Sequence, residues 1–513
     1  NDNTMTVTLS SDSAFSGAIT GSGGVTTAGT GTFTLSGGSN TYTGTTTLGG
    51  SCDLTLSGSG VLGNNSPLVV GSGRTFTIAT GAGAKGIGRL SGAGNVALNN
   101  NTLTVTQETS DTEFSGVMSG TWGLTKAGNN TLTLSGNNTY TGATTVSAGT
   151  LTITGSNAYT GATSVTGGTL TIGSGGSIAN TSGVALSGGG GLTLSTSATI
   201  NNLSGGAGGS NVTLGSNTMT VNSSSETTFE GNISGTGGLT KSGAENLIIS
   251  GTPDFSGATT ISAGTLTLNS SGTLGSTSGV AISSGATLAL GGNKNIRALS
   301  GAGNVTLGSN TITISDNGSS TNTEFSGIIS GTGGLTKEGS ANFTLSGANT
   351  YSGATTVSQG TLTLGSSLSS SSGVALSGGN GLVLSADVSI NNLSGGGGGS
   401  NINLSSNTLT MNSSSDTSYG GVISGTGGLT KTGANQLTLT EANTYTGTTT
   451  VSAGTLLISG SGTINDSGAV VSNSTLEFAA GLGTAPNIKS LSGSGTITGN
   501  DNALTVTQTA DGT

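Results

Sequence analysis

A tandem pair of segments decides the fold: residues 139–153 read TYTGATTVSAGTLTI, and residues 158–172 read AYTGATSVTGGTLTI. The two segments place Tyr140 and Tyr159 at the same position, 19 residues apart. A short fixed period is typical of solenoids, in which each repeat stacks on its neighbours. A unit of 19 residues is therefore a candidate for one complete coil.

The tandem pair lies inside a longer repeat. Copies of that repeat begin at Gly23, Trp122, Gly237, Gly333 and Gly427. A second marker, an Asn before an L-T-V-like triplet, recurs at Asn3, Asn101, Asn217, Asn310, Asn407 and Asn502. The markers lie about 96 residues apart, except that Asn101 and Asn217 lie 116 residues apart. Subtracting the 19 residues of the second tandem segment reduces this spacing to 97. We infer about five coils per long repeat and the repeats 1–98, 99–214 (with a one-coil insertion), 215–307, 308–404, 405–499 and 500–513.

Short segments alternate an aliphatic residue with Thr, as in Leu132-Thr133-Leu134 and Leu266-Thr267-Leu268. Period-two alternation predicts half-buried strands, here three to five residues long, and the flanking Gly, Ser and Asn residues predict turns. Strands this short must pair with neighbours to be stable. The sequence predicts an all-β fold, a right-handed parallel β-helix (β-solenoid) continuous over 1–513. We expect about 25 coils of roughly 19–21 residues, about 4.8 Å apart, in an elongated rod of roughly 110–130 Å.

Within each coil, Leu, Ile and Val are expected to point inward and to stack on the same position of the next coil. Most Thr side chains are expected to point outward, because a buried hydroxyl needs a hydrogen-bond partner.

Composition excludes several classes of function. The chain has no His, which excludes His-dependent triads and imidazole metal sites. One Cys allows no intrachain disulfide and no Cys cluster. Ten basic residues against 20 acidic ones give a net charge of −10, which argues against nucleic-acid binding. We therefore expect no catalytic residues, no metal and no cofactor.

Aromatic residues keep two phases of the repeat. One row holds Tyr42, Tyr140, Tyr159, Phe255, Tyr351 and Tyr445. The other holds Phe15, Phe114, Phe229, Phe325 and Tyr419. We expect these side chains to cap or pack over coil corners; the alternative is an exposed row that stacks on a ligand.

Basic residues follow the repeat as well. Lys126, Lys241, Lys337 and Lys431 share one phase, and Arg89, Arg297 and Lys489 each precede an L-S-G segment. We expect solvated charges at turns in both groups.

Acidic residues are scattered, and the densest stretch holds Glu108, Asp111 and Glu113. Glu113 and Glu324 share a phase, which indicates a surface feature rather than the clustered carboxylates of glycoside hydrolysis. Residues 81–86 fit the spacing G-x-G-x-x-G, a weak signal where Gly is abundant and no helix follows. The Gly-rich stretch 395–399 is expected to be a turn or a loose loop.

Two residues occur once each in the chain. Trp122 stands where three other copies have Gly237, Gly333 and Gly427, and we expect an exposed side chain that is either incidental or a contact point. Cys52 lies in a segment one residue longer than its counterpart. A buried thiol is expected there, and an intermolecular crosslink is the less favoured alternative.

The string LTKxGxxxLTLSGxNTYTGATTVSAGTLTL resembles the autotransporter-associated β-strand repeat, also called the passenger-associated transport repeat. The match is close in four copies of about 32 residues and looser in the first. The resemblance implies a β-helical passenger of a bacterial surface protein that an outer-membrane β-barrel exports. It also implies roles in adhesion, self-association or display. Neither a signal peptide nor a C-terminal barrel pattern is visible, which leaves the anchoring open.

The leading hypothesis is a non-catalytic extracellular rod, the stalk or filament body of a bacterial surface adhesin. Its expected partners are other copies, joined laterally or end to end, and cell-surface glycans or proteins. The alternatives are a fibre joined through uncapped coils, a glycan-binding module that uses Trp122, the Asn rows and the Tyr columns, and a degraded polysaccharide-active enzyme. The segments that begin at Asn1 and Asn500 share a phase, which suggests a window of a longer array.

Overall fold

The computed structural model describes residues 3–63, 65–274, 276–316, 321–379 and 381–507. Asn1 and Asp2, part of the first terminal segment, lie outside these residues. The described residues form strands, turns and bends and contain no helix, so no helix in them could span a membrane. The strands run parallel and stack as a β-solenoid of about 25 turns, which confirms the predicted fold class. The chain divides into two compact units, Asn1–Ala258 and Thr259–Thr513, each described below by itself.

In the first unit, the described residues form strands β1 to β30. In chain order these are Met5–Leu9, Ser13–Phe15, Val25–Leu35, Thr46–Leu48, Ser51–Leu56, Leu68–Val70, Thr75–Ile78, Lys85–Ile87, Leu90–Gly92, Asn95–Ala97, Leu103–Thr106, Thr112–Phe114, Met118–Ser119, Leu124–Ala127, Thr131–Leu134, Thr144–Val146, Thr150–Ile153, Thr163–Val165, Thr169–Ile172, Val184–Leu186, Gly191–Leu194, Ala198–Asn201, Leu203–Gly205, Asn211–Thr213, Met219–Asn222, Thr227–Phe229, Asn232–Gly235, Leu239–Ser242, Asn246–Ile249 and Asp254–Phe255.

In the second unit, the described residues form strands β31 to β61. In chain order these are Thr259–Ile261, Thr265–Leu268, Val280–Ile282, Thr287–Leu290, Lys294–Ile296, Leu299–Gly301, Asn304–Thr306, Ile312–Ser315, Thr323–Phe325, Ile328–Ser330, Leu335–Glu338, Phe343–Leu345, Thr355–Val357, Thr361–Leu364, Leu368–Leu376, Gly381–Leu384, Val388–Gly395, Asn401–Asn403, Leu409–Asn412, Thr417–Tyr419, Ile423–Ser424, Leu429–Thr432, Gln436–Leu439, Thr449–Val451, Thr455–Ile458, Val470–Ser472, Thr475–Phe478, Asn487–Ile488, Leu491–Ser492, Thr496–Thr498 and Thr505–Val506.

The tandem pair forms consecutive coils in the first unit. β15 pairs with β17 through Leu132 and Leu151, and β17 pairs with β19 through Leu151 and Leu170. Each step is 19 residues, so the two segments belong to successive coils of equal length. The second unit repeats the arrangement, with Leu437, Leu456 and Leu476 opposite one another in β53, β55 and β57.

Coil length varies more than the expected 19–21 residues. Lys85 lies opposite Leu103, 18 positions later, whereas Gly205 lies opposite Phe229, 24 positions later. Most strand pairs keep one register because the turns between them absorb the additional residues, whereas the β45–β47 pair shifts register between Leu368 and Gly373. Extra length therefore appears as larger turns and does not interrupt the stack.

Four strands are longer than predicted, among them β5 with 6 residues. β3 has 11 residues because it continues around a corner: its first half pairs with β1 and β4, and its second half pairs with β2 and β5. Gly29 and Gly31 lie at that corner with φ of 82° and 99°, a conformation that favours Gly. β45 and β47 have 9 and 8 residues.

Burial follows the alternation predicted from the sequence. In β17, Leu151 and Ile153 are buried, whereas Thr150 and Thr152 are partly exposed on the outer face. The side chains of Leu132, Leu151 and Leu170 are fully buried in one column. Burying a Leu side chain contributes roughly 1.5–3 kcal/mol. The core of each unit is thus a set of aliphatic columns whose members come from successive coils.

Glycine is required where two coils approach most closely. A Cβ at Gly136 would lie 1.9 Å from Gly116 O, and a Cβ at Gly155 would lie 2.3 Å from Gly136 O. No side chain fits at such a separation, so these positions keep the coils in contact at the turn.

Deleting residues 154–172 removes one complete coil and joins Ile153 to Gly173, the residue that follows the equivalent Ile172. We expect cooperative unfolding and a melting temperature within a few degrees of the parent, because each coil interacts mainly with its neighbours. Far-UV circular dichroism and thermal unfolding measure this.

The control is deletion of residues 154–162, which removes part of a coil and moves β18 out of register. We expect a loss of several kcal/mol there, about the burial energy of a few core side chains. Equal stability of the two deletion variants would contradict the coil assignment.

Candidate functional site

The four lysines at one repeat phase do not carry solvated charges, and the sequence-based expectation was wrong. Lys126, Lys241, Lys337 and Lys431 are at most 1% exposed. We call them the cage lysines. Lys126 Nζ donates to Ala127 O (2.9 Å), Gly128 O (2.8 Å) and Ala148 O (3.1 Å). An ammonium group has three N–H donors, so this cage satisfies all of them.

The other cage lysines repeat the geometry. Lys337 Nζ donates to Glu338 O (2.6 Å), Gly339 O (2.7 Å) and Gln359 O (3.3 Å). Lys431 Nζ makes the same three bonds to Thr432, Gly433 and Ala453. Lys241 Nζ donates to Ser242 O (2.8 Å) and Gly243 O (2.9 Å). For Lys126, Lys337 and Lys431, the third carbonyl belongs to the next coil, so the ammonium group links two coils.

The first copy has Thr27 where the others have a cage lysine. Thr27 is fully buried, and its Oγ1 donates to Cys52 O at 3.3 Å. Cys52 is itself fully buried, as expected, so its thiol is not placed for an intermolecular crosslink. A single hydroxyl hydrogen bond thus replaces the ammonium cage in this copy.

Burial shifts the protonation of the cage lysines. Burial lowers the pKa of Lys126 and Lys241 to about 8, although nearby Asp111 and Glu245 oppose the shift. Burial also lowers the pKa of Lys337 and Lys431. The second basic group is different: Arg89 and Arg297 are half-buried, and Lys489 is exposed.

Both aromatic rows lie mainly in the core, so the alternative of an exposed stacking row was wrong. All six members of the first row are buried. Tyr140 and Tyr159 stack with ring centroids 5.1 Å apart and planes 4° apart. In the second row, only Phe15, in the first described coil, is exposed (40%).

Each Tyr of the first row bonds a Thr four residues later inside the core. The Oη–Oγ1 distance is 2.6 Å for Tyr140 and Thr144 and 2.7 Å for Tyr351 and Thr355. These Thr residues are among the inward exceptions to the outward rule, and their hydroxyls have the partner that burial demands. Phe255 has no hydroxyl to offer, and Thr259 Oγ1 is buried without a hydrogen-bond partner among the described residues.

The Asn marker row ties each turn to the coil before it. Asn101 Nδ2 donates to Leu98 O (3.0 Å), three residues earlier, and to Ala79 O (2.9 Å) of the preceding coil. Asn217 and Asn310 make the equivalent pair of bonds. Asn407 and Asn502 also reach the preceding coil, through Leu384 O and Ala479 O, whereas Asn3 is exposed.

Sequence reasoning missed a second Asn row, two residues before each Tyr of the first row. Its members are Asn40, Asn138, Asn157, Asn349 and Asn443, all buried. Asn138 Oδ1 accepts from Met118 N of the preceding coil (2.9 Å), and its Nδ2 donates to Asn157 Oδ1 (2.7 Å). The recurring N-x-Tyr spacing was the available signal.

The acidic residues also connect neighbouring coils. Glu324 Oε1 accepts from Ser346 Oγ (2.6 Å), and Glu113 makes the same bond to Ser135. Asp111 Oδ1 accepts from Thr131 N (2.7 Å), a bond that lowers the pKa of this carboxyl. No group of three or more His, Cys, Asp or Glu residues among the described residues could hold a metal ion.

The two Gly-rich stretches form turns. A strand, β8, begins within residues 81–86, so the spacing G-x-G-x-x-G does not lead into a helix. Residues 396–399 form a turn between β47 and β48.

Trp122 is exposed in the bend two residues before β14. Its side chain is 55% exposed and lines a cleft of about 330 Å³ together with Thr102, Thr125, Gly142 and Thr145. The glycan hypothesis combined Trp122, the Asn rows and the Tyr columns. Of these, the structure leaves the Trp122 side chain accessible and buries the Tyr columns.

Comparison with known proteins agrees with the resemblance seen in the sequence. Residues 25–50, 124–153, 148–172, 239–268, 335–364 and 429–458 match the model of the Passenger-associated-transport-repeat. The chain is 36% identical over 470 residues to the Adhesin BmaC autotransporter of Brucella suis biovar 1 (strain 1330). The alignment covers 87% of the chain, and the chain spans 13% of that adhesin's length. No solved structure matches the chain significantly.

Replacing a cage lysine tests the cage. In Lys126→Met, the apolar stem remains, but three buried carbonyls lose a donor. We expect a loss of about 1–3 kcal/mol in the free energy of unfolding, measured by urea denaturation. The control Lys489→Met changes an exposed side chain and should alter the free energy by less than about 0.5 kcal/mol. Equal effects of the two substitutions would contradict the cage.

The pKa shifts predict an unusual pH dependence of stability. A lysine with a folded pKa of about 8 and an unfolded pKa of 10.5 binds fewer protons when folded, so stability rises with pH across that window. Burial raises the pKa of Tyr159 and Tyr351 from 10.0 to about 12, so stability falls as pH rises from about 10 to 12. The urea midpoint should therefore be highest near pH 10, where the rising lysine contribution meets the falling tyrosine contribution.

The double variant Lys126→Met/Lys241→Met is the control. It should reduce the rise of the urea midpoint between about pH 8 and 10, because two of the lysines that cause this rise are absent. A midpoint that falls steadily above pH 7 in the unmodified chain would contradict this prediction.

Proposed function

We propose that the chain, six segments of which match the Passenger-associated-transport-repeat, is a non-catalytic section of a bacterial surface adhesin, exposed outside the cell as a stiff adhesive rod. The relative that is 36% identical to this chain is named as an adhesin, and the chain spans 13% of its length. The rod would hold attachment surfaces away from the outer membrane and contribute to contact with cells or surfaces.

One observation carries the proposal: side chains that usually perform chemistry are used here to join coils. Lys126 bonds two coils, Asn138 bonds the coils on both sides, and Glu113 accepts from the next coil. The same roles recur in several copies. A repeated structural use of polar residues fits a scaffold better than an enzyme, whose catalytic groups occur once and lie in a cleft.

Stiffness follows from the same contacts. Within each unit, successive coils share parallel backbone ladders, aliphatic columns and polar side-chain bonds. Bending such a stack would break hydrogen bonds on one side of the coil, each of which contributes about 0.5–1.5 kcal/mol. A stack of this kind resists bending and suits a spacer at a cell surface.

Display on a non-adherent bacterium tests the adhesive rod. The chain is fused to a heterologous outer-membrane β-barrel, and an unrelated solenoid of similar length on the same barrel is the control. We expect several-fold more adherent bacteria on cultured cells or on glass, at matched surface expression. Adherence no higher than the control, or release of reducing sugars from a polysaccharide panel, would contradict the proposal.

A further inference from the structure

Trp122 is the one Trp of the chain, and its indole lies exposed beside a small cleft. Gly142 and Ala143, which have little or no side chain, form part of the lining. An exposed Trp with a cleft beside it is a common means of binding flat apolar surfaces, because the indole contributes a large area with few rotatable bonds.

The position is sterically unfavourable for any side chain. In the other copies, a Cβ at Gly237 or Gly333 would lie 1.8 Å from the carbonyl oxygen of Asn217 or Asn310, in the preceding coil. Gly237 N also donates to Gly215 O at 2.9 Å, a bond that Trp122 N does not make in the described part of the chain. The second copy, which begins at Trp122, thus lacks this backbone hydrogen bond and has an exposed indole at the same position.

Unused hydroxyl groups line the same cleft. Thr125 and Thr145 are directly opposite each other in β14 and β16, so their Cα atoms lie about 4.8 Å apart. Among the described residues, the hydroxyls of Thr102, Thr125 and Thr145 have no hydrogen-bond partner in the protein. Each can donate and accept, which suits the hydroxyl groups of a sugar. No charged side chain lines the cleft, so it suits a neutral ligand.

We propose that this cleft is a binding site for a neutral pyranose sugar. The apolar C–H face of the ring stacks on the Trp122 indole, and ring hydroxyls exchange hydrogen bonds with Thr102, Thr125 and Thr145. A single open site of this size predicts weak binding, with a Kd on the order of 1 mM. Many copies on one cell surface would convert weak binding into firm attachment through avidity.

This inference deepens the adhesive function proposed above. It rests on that function only for the location of the sugar, which the chain would encounter outside the cell. Three other copies serve as internal negative controls, because Gly237, Gly333 and Gly427 have no side chain on which a sugar could stack.

The single Trp makes the test direct. The purified full chain is titrated with the methyl glycosides of glucose, galactose, mannose and N-acetylglucosamine, and Trp fluorescence is followed. We expect a saturable blue shift with at least one of the four sugars, and saturation-transfer NMR should place the sugar ring protons against the protein.

Three variants test the assignment. Trp122→Gly restores the residue of the other copies and should keep the fold, by circular dichroism, while NMR saturation transfer is lost. Thr125→Val/Thr145→Val should keep the indole and weaken binding about 10-fold. Thr240→Val, the equivalent of Thr125 in the next copy, is the matched control and should bind as the parent does.

No saturable change with any of the four sugars at up to about 50-fold the expected Kd would overturn the inference, as would unchanged binding by Trp122→Gly. The display assay separates the two proposals. If bacteria carrying Trp122→Gly adhere as the parent does and the isolated chain binds no sugar, the adhesive rod stands and the sugar site falls.

Discussion

Pairing between successive coils is the interaction on which the rest of this structure depends. Strands of three or four residues have too few hydrogen bonds and too little apolar area to persist alone. β17 becomes stable because β15 and β19 pair with it on both sides and because Leu132 and Leu170 cover Leu151 in the core. Register is then fixed, because a slip of one residue would turn Leu outward and Thr inward.

Polar side chains solve the problem that this stacking creates at the turns. Where the backbone leaves a strand, its carbonyl and amide groups lose their ladder partners and would be unsatisfied when buried. Lys126 supplies three donors to such carbonyls, Asn101 supplies donors to the preceding coil, and Asn138 accepts from an amide. The repeat is therefore defined as much by these bonds as by its aliphatic columns.

Much of the fold could be predicted from the sequence, because the alternation of Leu with Thr and the 19-residue insertion depend only on local pattern and phase. The role of Lys126 could not be predicted in the same way. A lysine among small residues normally indicates solvent, and its carbonyl cage exists only once the turn and the next coil have folded around it. Coil lengths between 18 and 24 residues also escaped the pattern, since turns can take up extra residues without changing strand register. Trp122 was correctly expected to be exposed, but the free hydroxyls beside it became visible only through the register of Thr125 and Thr145.

A distance across several coils tests coil stacking most directly. Thr133, Thr152, Thr171, Thr193 and Thr213 occupy one outward column, so Thr133 and Thr213 are separated by four coil steps. Spin labels at Thr133→Cys and Thr213→Cys, with the buried Cys52 replaced by Ala, can be measured by pulsed electron paramagnetic resonance. Stacked coils predict a narrow distribution centred near 19 Å, broadened only by the label linkers. A broad distribution centred well beyond about 35 Å would show that these 80 residues do not form a stack.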